Sequence, residues 1–145
     1  MRQSVAAIAL ICREQDGQTQ WLAQWNDAWG ALSFVGGHKN DDESFRECLI
    51  REIKEELGLV GERQMLVSAA PVKHLEYSDF SQRAGEETDY TIELFNVSLI
   101  GDGVWEMVDA NSANRWLTED KIMACRTHDG RPVSPMPKRC LRALG

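Results

Sequence analysis

Three carboxylates, Glu52, Glu55 and Glu56, stand close together directly after Arg51, in a stretch that opens at Gly37 and closes at Gly58-Leu59. From Ser44 to Leu57 there is no Gly or Pro and mostly good helix formers, so the stretch predicts a helix. Asp41 and Asp42 offer N-cap oxygens, and Gly58 offers a C-terminal stop. At about 100° per residue, Leu49, Ile50, Ile53 and Leu57 fall on one arc that can face a core. Glu52, Glu55 and Glu56 span a neighbouring arc of roughly 100°, at the edge of that face. The arrangement is unfavourable by itself. Like charges at i,i+4 cost about 0.2–0.5 kcal/mol on an isolated helix, and more as the local dielectric falls near a core. Acids in the last turns also face the negative end of the helix dipole. A hard divalent cation, Mg²⁺ or Mn²⁺, takes oxygen ligands and would offset the repulsion. Arg51 could hold one carboxylate in place through a charge-assisted hydrogen bond.

A helix rich in Glu, Lys and Arg is ordinarily just a solvated amphipathic helix, so the full spacing matters. The stretch resembles the Nudix box, G-x5-E-x7-R-E-U-x-E-E-x-G-U, where U is a bulky aliphatic residue. Every fixed position is filled, by Gly37, Glu43, Arg51, Glu52, Ile53, Glu55, Glu56, Gly58 and Leu59. The resemblance to this hydrolase family implies an α/β fold, an α/β/α sandwich with a mixed sheet and a loop–helix–loop metal site. It also implies a small MutT-like member cleaving nucleoside diphosphates linked to another moiety. By the same resemblance Glu52, Glu55, Glu56 and the Gly37 carbonyl would carry the metal ions. Arg51 would orient a glutamate, and Glu43 would support the loop and the helix start.

The rest of the chain must position that helix. A length of 145 residues predicts one domain, residues 1–145, around one core. The 43% hydrophobic and 27% charged content is ordinary for a soluble globular protein. A net charge of −7 argues against general nucleic-acid affinity, which needs a basic footprint. Cys12, Cys48, Cys125 and Cys140 form no C-x-x-C pair, which argues against a zinc knuckle and for a reducing, cytoplasmic setting. The apolar run Val5–Ile11 reads as a buried strand rather than a signal peptide, and no run reaches the roughly 18 apolar residues of a membrane span.

Along the chain, Val5–Arg13 reads as a strand buried on both faces, Asp16-Gly17 as a hairpin turn and Gln20–Gln24 as the return strand. Trp25 to Gly30 reads as an aromatic loop, and Leu32–Val35 as a short strand feeding Gly36-Gly37. Gln64–Ala69, Val72–Tyr77 and Thr88–Ile100 predict further strands, with a polar loop over Asp79–Glu87. Val104–Asn114 reads as a loop, Arg115–Leu117 as a last strand, Thr118 as N-cap of a helix through Ala124, residues 131–137 as a proline-rich connector and Lys138–Leu144 as a closing helix.

The reading that results is a Mg²⁺- or Mn²⁺-dependent hydrolase of a phosphoanhydride in a small nucleotide substrate, with a nucleoside triphosphate favoured. Candidate substrate contacts are Trp25, Trp29 and Phe34, which could stack on a base, and Lys39 and Tyr77; Lys73 or Arg83 could also meet outer phosphates. A general base from outside the helix is expected from the Val104–Asn114 loop, Glu106 ahead of Asp109, with Glu86 and Glu87 as runners-up. The proline associated with ADP-ribose hydrolases is missing, since His74 and Leu75 occupy its places, whereas Tyr77 lies near where dinucleoside polyphosphate hydrolases have a tyrosine. That class stays open, as do a catalytically silent nucleotide-binding module, an RNA-end hydrolase and a homodimer. No membrane partner is expected.

Overall fold

The computed structural model describes residues 1–81 and 83–145. It builds on β1 (Arg2–Leu10), which is buried on both faces because it lies between two layers. β1 runs parallel to β8 (Glu86–Leu99) and antiparallel to β5 (Gly36–His38). β6 (Met65–Val67) and β7 (Lys73–Ser81) both pair antiparallel with β8 and complete this mixed sheet. A second sheet contains β2 (Cys12–Gln15), β3 (Gln18–Asn26), β4 (Ala31–Phe34) and β9 (Asn114–Thr118). The period of two decides which layer each β1 residue meets. Ala7 and Ala9 pack with Leu49, Ile53 and Leu57 of α1 (Phe45–Leu57), together with Phe95 and Val97. Ala6, Ile8 and Leu10 face the other way, toward Ala23, Leu32 and Phe34 of the second sheet and Ile122 and Cys140 of α3 (Glu119–Ala124) and α4 (Pro135–Ala143).

The expected α/β/α layering holds, and the corrections lie at element ends. The N-cap of α1 is Ser44, not Asp41 or Asp42: its hydroxyl accepts from Glu47 N–H while the Glu47 carboxylate accepts from Ser44 N–H, a capping box that satisfies two otherwise orphaned donors. Gly58 closes the helix at φ 72°, a left-handed conformation that favours glycine. The first strand ends at Leu10, and Cys12–Gln15 belongs to the second sheet. The polar loop expected over Asp79–Glu87 is largely strand, because β7 runs on to Ser81 and pairs Phe80 with Glu87. The expected loop at Val104–Asn114 contains a helix, α2 (Val104–Ala110), whose Val104 and Val108 are buried. Pro135 starts α4 instead of excluding it, since a first-turn proline loses no hydrogen bond.

Candidate functional site

Glu52 and Glu56 sit one turn apart on α1, both half-buried and turned toward β5. Glu52 lies against Gly37 so closely that a Cβ there would stand 2.4 Å from the Glu52 carboxyl carbon and would push the carboxylate out of its place. The Gly36 N–H reaches the Glu56 carboxylate. A Cβ on Gly36 would meet the Ala7 carbonyl at 2.2 Å, which explains the second glycine. Burial, then the hydrogen bond and charge of neighbouring Glu52, push the Glu56 carboxyl up to about 8.

Arg51 fixes one member of that pair. Its Nη1 donates to Glu52 Oε1 at 2.9 Å, and Nε and Nη2 grip Glu43 at 3.1 and 2.7 Å. Nη2 also donates to the His38 carbonyl at 3.1 Å, tying α1 to β5. The Arg51 bonds and the Asn40 N–H hold Glu43 down to about 2. Glu43 thus supports the loop and the start of the helix, as expected.

Glu55 stands apart. Its side chain is 58% exposed and reaches only Arg51, at 3.5 Å. Among the described residues, no three His, Cys, Asp or Glu side chains converge as a ready-made metal cage. The residues nonetheless fit a hard cation: two half-buried carboxylates lie side by side, burial and Glu52 push the Glu56 carboxyl upward, and a glycine cradle brings backbone beside them. The Gly37 carbonyl accepts a weak bond from Cys48 Sγ at 3.4 Å, and burial raises that thiol to about 11, so Cys48 stays a protonated core residue.

Beside the pair opens a cleft of about 1090 Å³, bounded by β1, β3, β4, β7, β8 and the start of α4. Trp25, Trp29, Phe34 and Tyr77 all line it, and Lys39 does not. Lys39 turns instead to the Asn40 carbonyl and the Phe45 ring. Trp25 belongs to β3 rather than to a loop; its Nε1 donates to Asp27 at 2.8 Å, and the Arg131 guanidinium sits 5.2 Å from its ring. Trp29 is the open one, 42% exposed in the turn after β3, whereas Phe34 is buried in the core. Tyr77 stacks on Tyr90 at 4.9 Å and carries the Arg139 guanidinium 3.9 Å from its ring. Two groups cannot share one face, so both faces of Tyr77 are taken.

Glu106 is exposed in the first turn of α2, and neither it nor Asp109 lines the cleft. Asp109 accepts from Trp116 Nε1 at 2.8 Å and lies 3.7 Å from Arg13, so it serves the packing of α2. Glu86 and Glu87 are exposed where β8 begins, and Lys73 is exposed on β7. The acids that do line the cleft are Asp27, Glu52, Glu56 and Asp79. Sequence reading missed Arg2, Ser4, Tyr90 and Arg139, which also line it. The signal was there for three of them: Arg2, Ser4, Ala6 and Ile8 alternate along β1, and Tyr90 pairs with Ser4.

A family model described as the NUDIX domain matches residues 2–136. The chain belongs to the NUDIX domain family. It is 35% identical over 65 residues to an RNA pyrophosphohydrolase of Xanthomonas oryzae pv. oryzae, covering 44% of this chain and 30% of that one, so the match spans under a third of the relative's length. Its fold is similar to that of the C. elegans Ap4A hydrolase, with TM-score 0.57, 20% identity and 85% and 86% of the two chains covered. It is also similar to Shewanella oneidensis NrtR complexed with a 27mer DNA, with TM-score 0.64, 12% identity and 97% and 59% covered.

Proposed function

We propose that this chain is a divalent-metal-dependent pyrophosphohydrolase that cleaves a phosphoanhydride in a nucleoside diphosphate-linked small molecule, with a nucleoside triphosphate as the favoured substrate. The observation that carries the reading is the Glu52–Glu56 pair packed against Gly36-Gly37 at the edge of a nucleotide-sized cleft. Glu52 and Glu56 would hold Mg²⁺ or Mn²⁺, joined by Glu55 if it leaves Arg51 and by the Gly37 carbonyl. The bound cation would supply charge neutralisation at the phosphates and acidify a water. Arg51 positions Glu52 rather than binding substrate, because four of its five donors are spent on Glu43, Glu52 and the His38 carbonyl. Trp25 and Trp29 form the aromatic wall for a base, with Trp29 its open face, worth about 1–3 kcal/mol of stacking. Glu106 enters the chemistry only by a movement of α2, so we assign the acids facing the cleft to proton handling ahead of it.

Four free cysteines support a reducing compartment, and we propose the cytoplasm. No helix among the described residues is long and apolar enough to cross a membrane. The charge of −7 supports a small-molecule substrate over a general nucleic-acid partner.

The test is a release assay for phosphate and pyrophosphate across nucleoside triphosphates, dinucleoside polyphosphates and 5′-triphosphorylated RNA, with Mg²⁺ or with chelator. Metal-dependent release from a free nucleotide supports the reading. Release from RNA alone makes the chain an RNA-end hydrolase, and nucleotide binding without turnover makes it a silent binding module.

A further inference from the structure

The floor of the cleft changes character along its strands. Ala6 of β1 pairs with Ile92 of β8, Ser4 with Tyr90 and Arg2 with Thr88, and β7 extends these rows with Leu75, Tyr77 and Asp79. Alternation puts all of these on one face, so the floor runs from apolar through aromatic to charged. Ala6 also pairs with His38, next to the Gly37 that cradles Glu52. Arg2 lies four residues away along β1, roughly 13 Å at the usual strand rise, less what its long side chain can reach back. Ser4 stands between them, 95% buried, with its hydroxyl 3.1 Å from His38 Nε2.

Four arginines of the chain are neutralised by local ion pairs. Arg13, Arg51, Arg115 and Arg139 each pair with a carboxylate. Among the described residues, Arg2 and Arg83 pair with none, though both line the cleft. Arg2 is oriented rather than neutralised: its Nη1 donates to the hydroxyl of fully buried Thr88 at 3.0 Å. Asp79, the acid nearest in the pairing, is committed to Arg139 at 2.9 Å. Two uncompensated guanidinium groups thus face the same cleft as two under-compensated carboxylates, at its opposite end.

Resting on the proposed function above, we infer that Arg2 and Arg83 form a second anion subsite that binds a phosphate group remote from the anhydride being cleaved. That group is either the terminal phosphate of a nucleoside triphosphate or a phosphate on the ribose. Ser4 and His38 provide the hydrogen-bonding step between this subsite and the carboxylates. The subsite makes the enzyme select substrates carrying that extra dianion over a nucleoside diphosphate joined to a neutral sugar.

The experiment uses R2Q/R83Q and, as a charge-conserving control, R2K/R83K, with thermal unfolding of each to confirm folding. The first readout is the ratio of kcat/KM for a nucleoside triphosphate to that for a nucleoside diphosphate–sugar, with a 3′-phosphorylated nucleoside diphosphate–sugar as the third arm. Losing two charge-assisted contacts should lower the ratio by at least about 30-fold in R2Q/R83Q, mainly through KM, with partial recovery in R2K/R83K. The arm whose ratio collapses names the source of the phosphate. A structural role would lower all arms alike, and an unchanged ratio in a folded R2Q/R83Q overturns the inference. The second readout is calorimetric binding of inorganic triphosphate in chelator. If wild type binds it, R2Q/R83Q does not, and no nucleotide is hydrolysed, the subsite stands and the proposed function falls. If nucleotides are hydrolysed but both readouts are indifferent to the arginines, the reverse holds.

Discussion

Two clusters in this molecule bring carboxylates together, and they are solved in opposite ways. On β7 and β8, Glu76 and Glu93 both approach His74, whose Nε2 and Nδ1 lie 3.0 and 2.8 Å from them. When protonated, the imidazole supplies a counter-charge, and the hydrogen bond to Glu93, then that to Glu76, raise its pKa. On α1, Glu52 and Glu56 are more buried, yet among the described residues the one cation that pairs with either, Arg51, reaches Glu52 and is shared with Glu43. Among the described residues no basic side chain pairs with Glu56. The shortfall at the second pair is the one that the proposed divalent cation would make good.

The comparison breaks most directly at the half-buried pair. Glu52→Gln and Glu56→Gln should each reduce Mg²⁺-dependent turnover by more than the about 10–100-fold that loss of a merely supporting residue costs. Arg51→Met should fall within that supporting range. Glu56→Gln should also raise the apo melting temperature at neutral pH. A carboxyl whose folded pKa is raised to about 8 carries no penalty below its ordinary 4.5 and a growing one as pH climbs between the two values. Thermal melts in chelator at pH 5 and pH 8 check the sign: the gain belongs to pH 8. Near-wild-type turnover in both Gln variants would remove the pair from the chemistry.

A smaller effect is expected at the aromatic wall. Trp29→Ala should raise KM by roughly 5- to 150-fold with little change in kcat, the equivalent of one lost base stack. Trp25→Ala should add a loss of stability, because its indole also anchors Asp27 and underlies Arg131. Nucleotide-dependent quenching of tryptophan fluorescence that persists in both variants would move the base elsewhere in the cleft.

The smallest effect sharpens the compensated cluster. His74→Gln should lower the melting temperature slightly, and only at low pH. A histidine with a raised folded pKa contributes fully below about 6.5 and loses the contribution as pH rises through the raised value. The side chain is 43% exposed, so solvent screens the pairs and the shift stays small. A difference from wild type that grew with pH would contradict the assigned charge.

How much of this was legible depended on whether the signal was local. The α1 helix and its apolar face follow from spacing alone, because a helix is written in consecutive residues. Strands β1, β6, β7 and β8 of the first sheet were readable for the same reason, down to the double-sided burial of β1, whereas β5 (Gly36–His38) was not, because its two glycines carry no strand signal. The Ser44 cap was legible too: a serine followed three residues later by Glu47 is a capping-box signature, and it outweighs the aspartates before it. What could not be read was convergence. Arg139 reaches Asp79 from 60 residues away, and the fate of Glu55 depends on which of several acids Arg51 holds. α2 was missed because Gly101, Asp102 and Gly103 look like the start of an extended loop, whereas Val104 and Val108 bury one face of a short helix.

One joint gives the molecule a division of labour. The buried hydroxyls of Ser33 and Ser134 hydrogen-bond at 2.9 Å, and Leu32 bridges Val133, so the segment leading into α4 is clipped onto β4. That segment supplies one wall of the cleft, while residues 36–56 supply its acidic edge. The two lie about a hundred positions apart and meet through an anchor that belongs to neither the carboxylates nor the aromatic wall. Substitutions at Met136 and Arg139, which spare the clip at Pro132, Val133 and Ser134, can therefore reshape what the cleft admits while the carboxylate edge stays in register. A library confined to those positions would retune substrate choice at little risk to the chemistry, much as a new jaw can be fitted to an existing hinge.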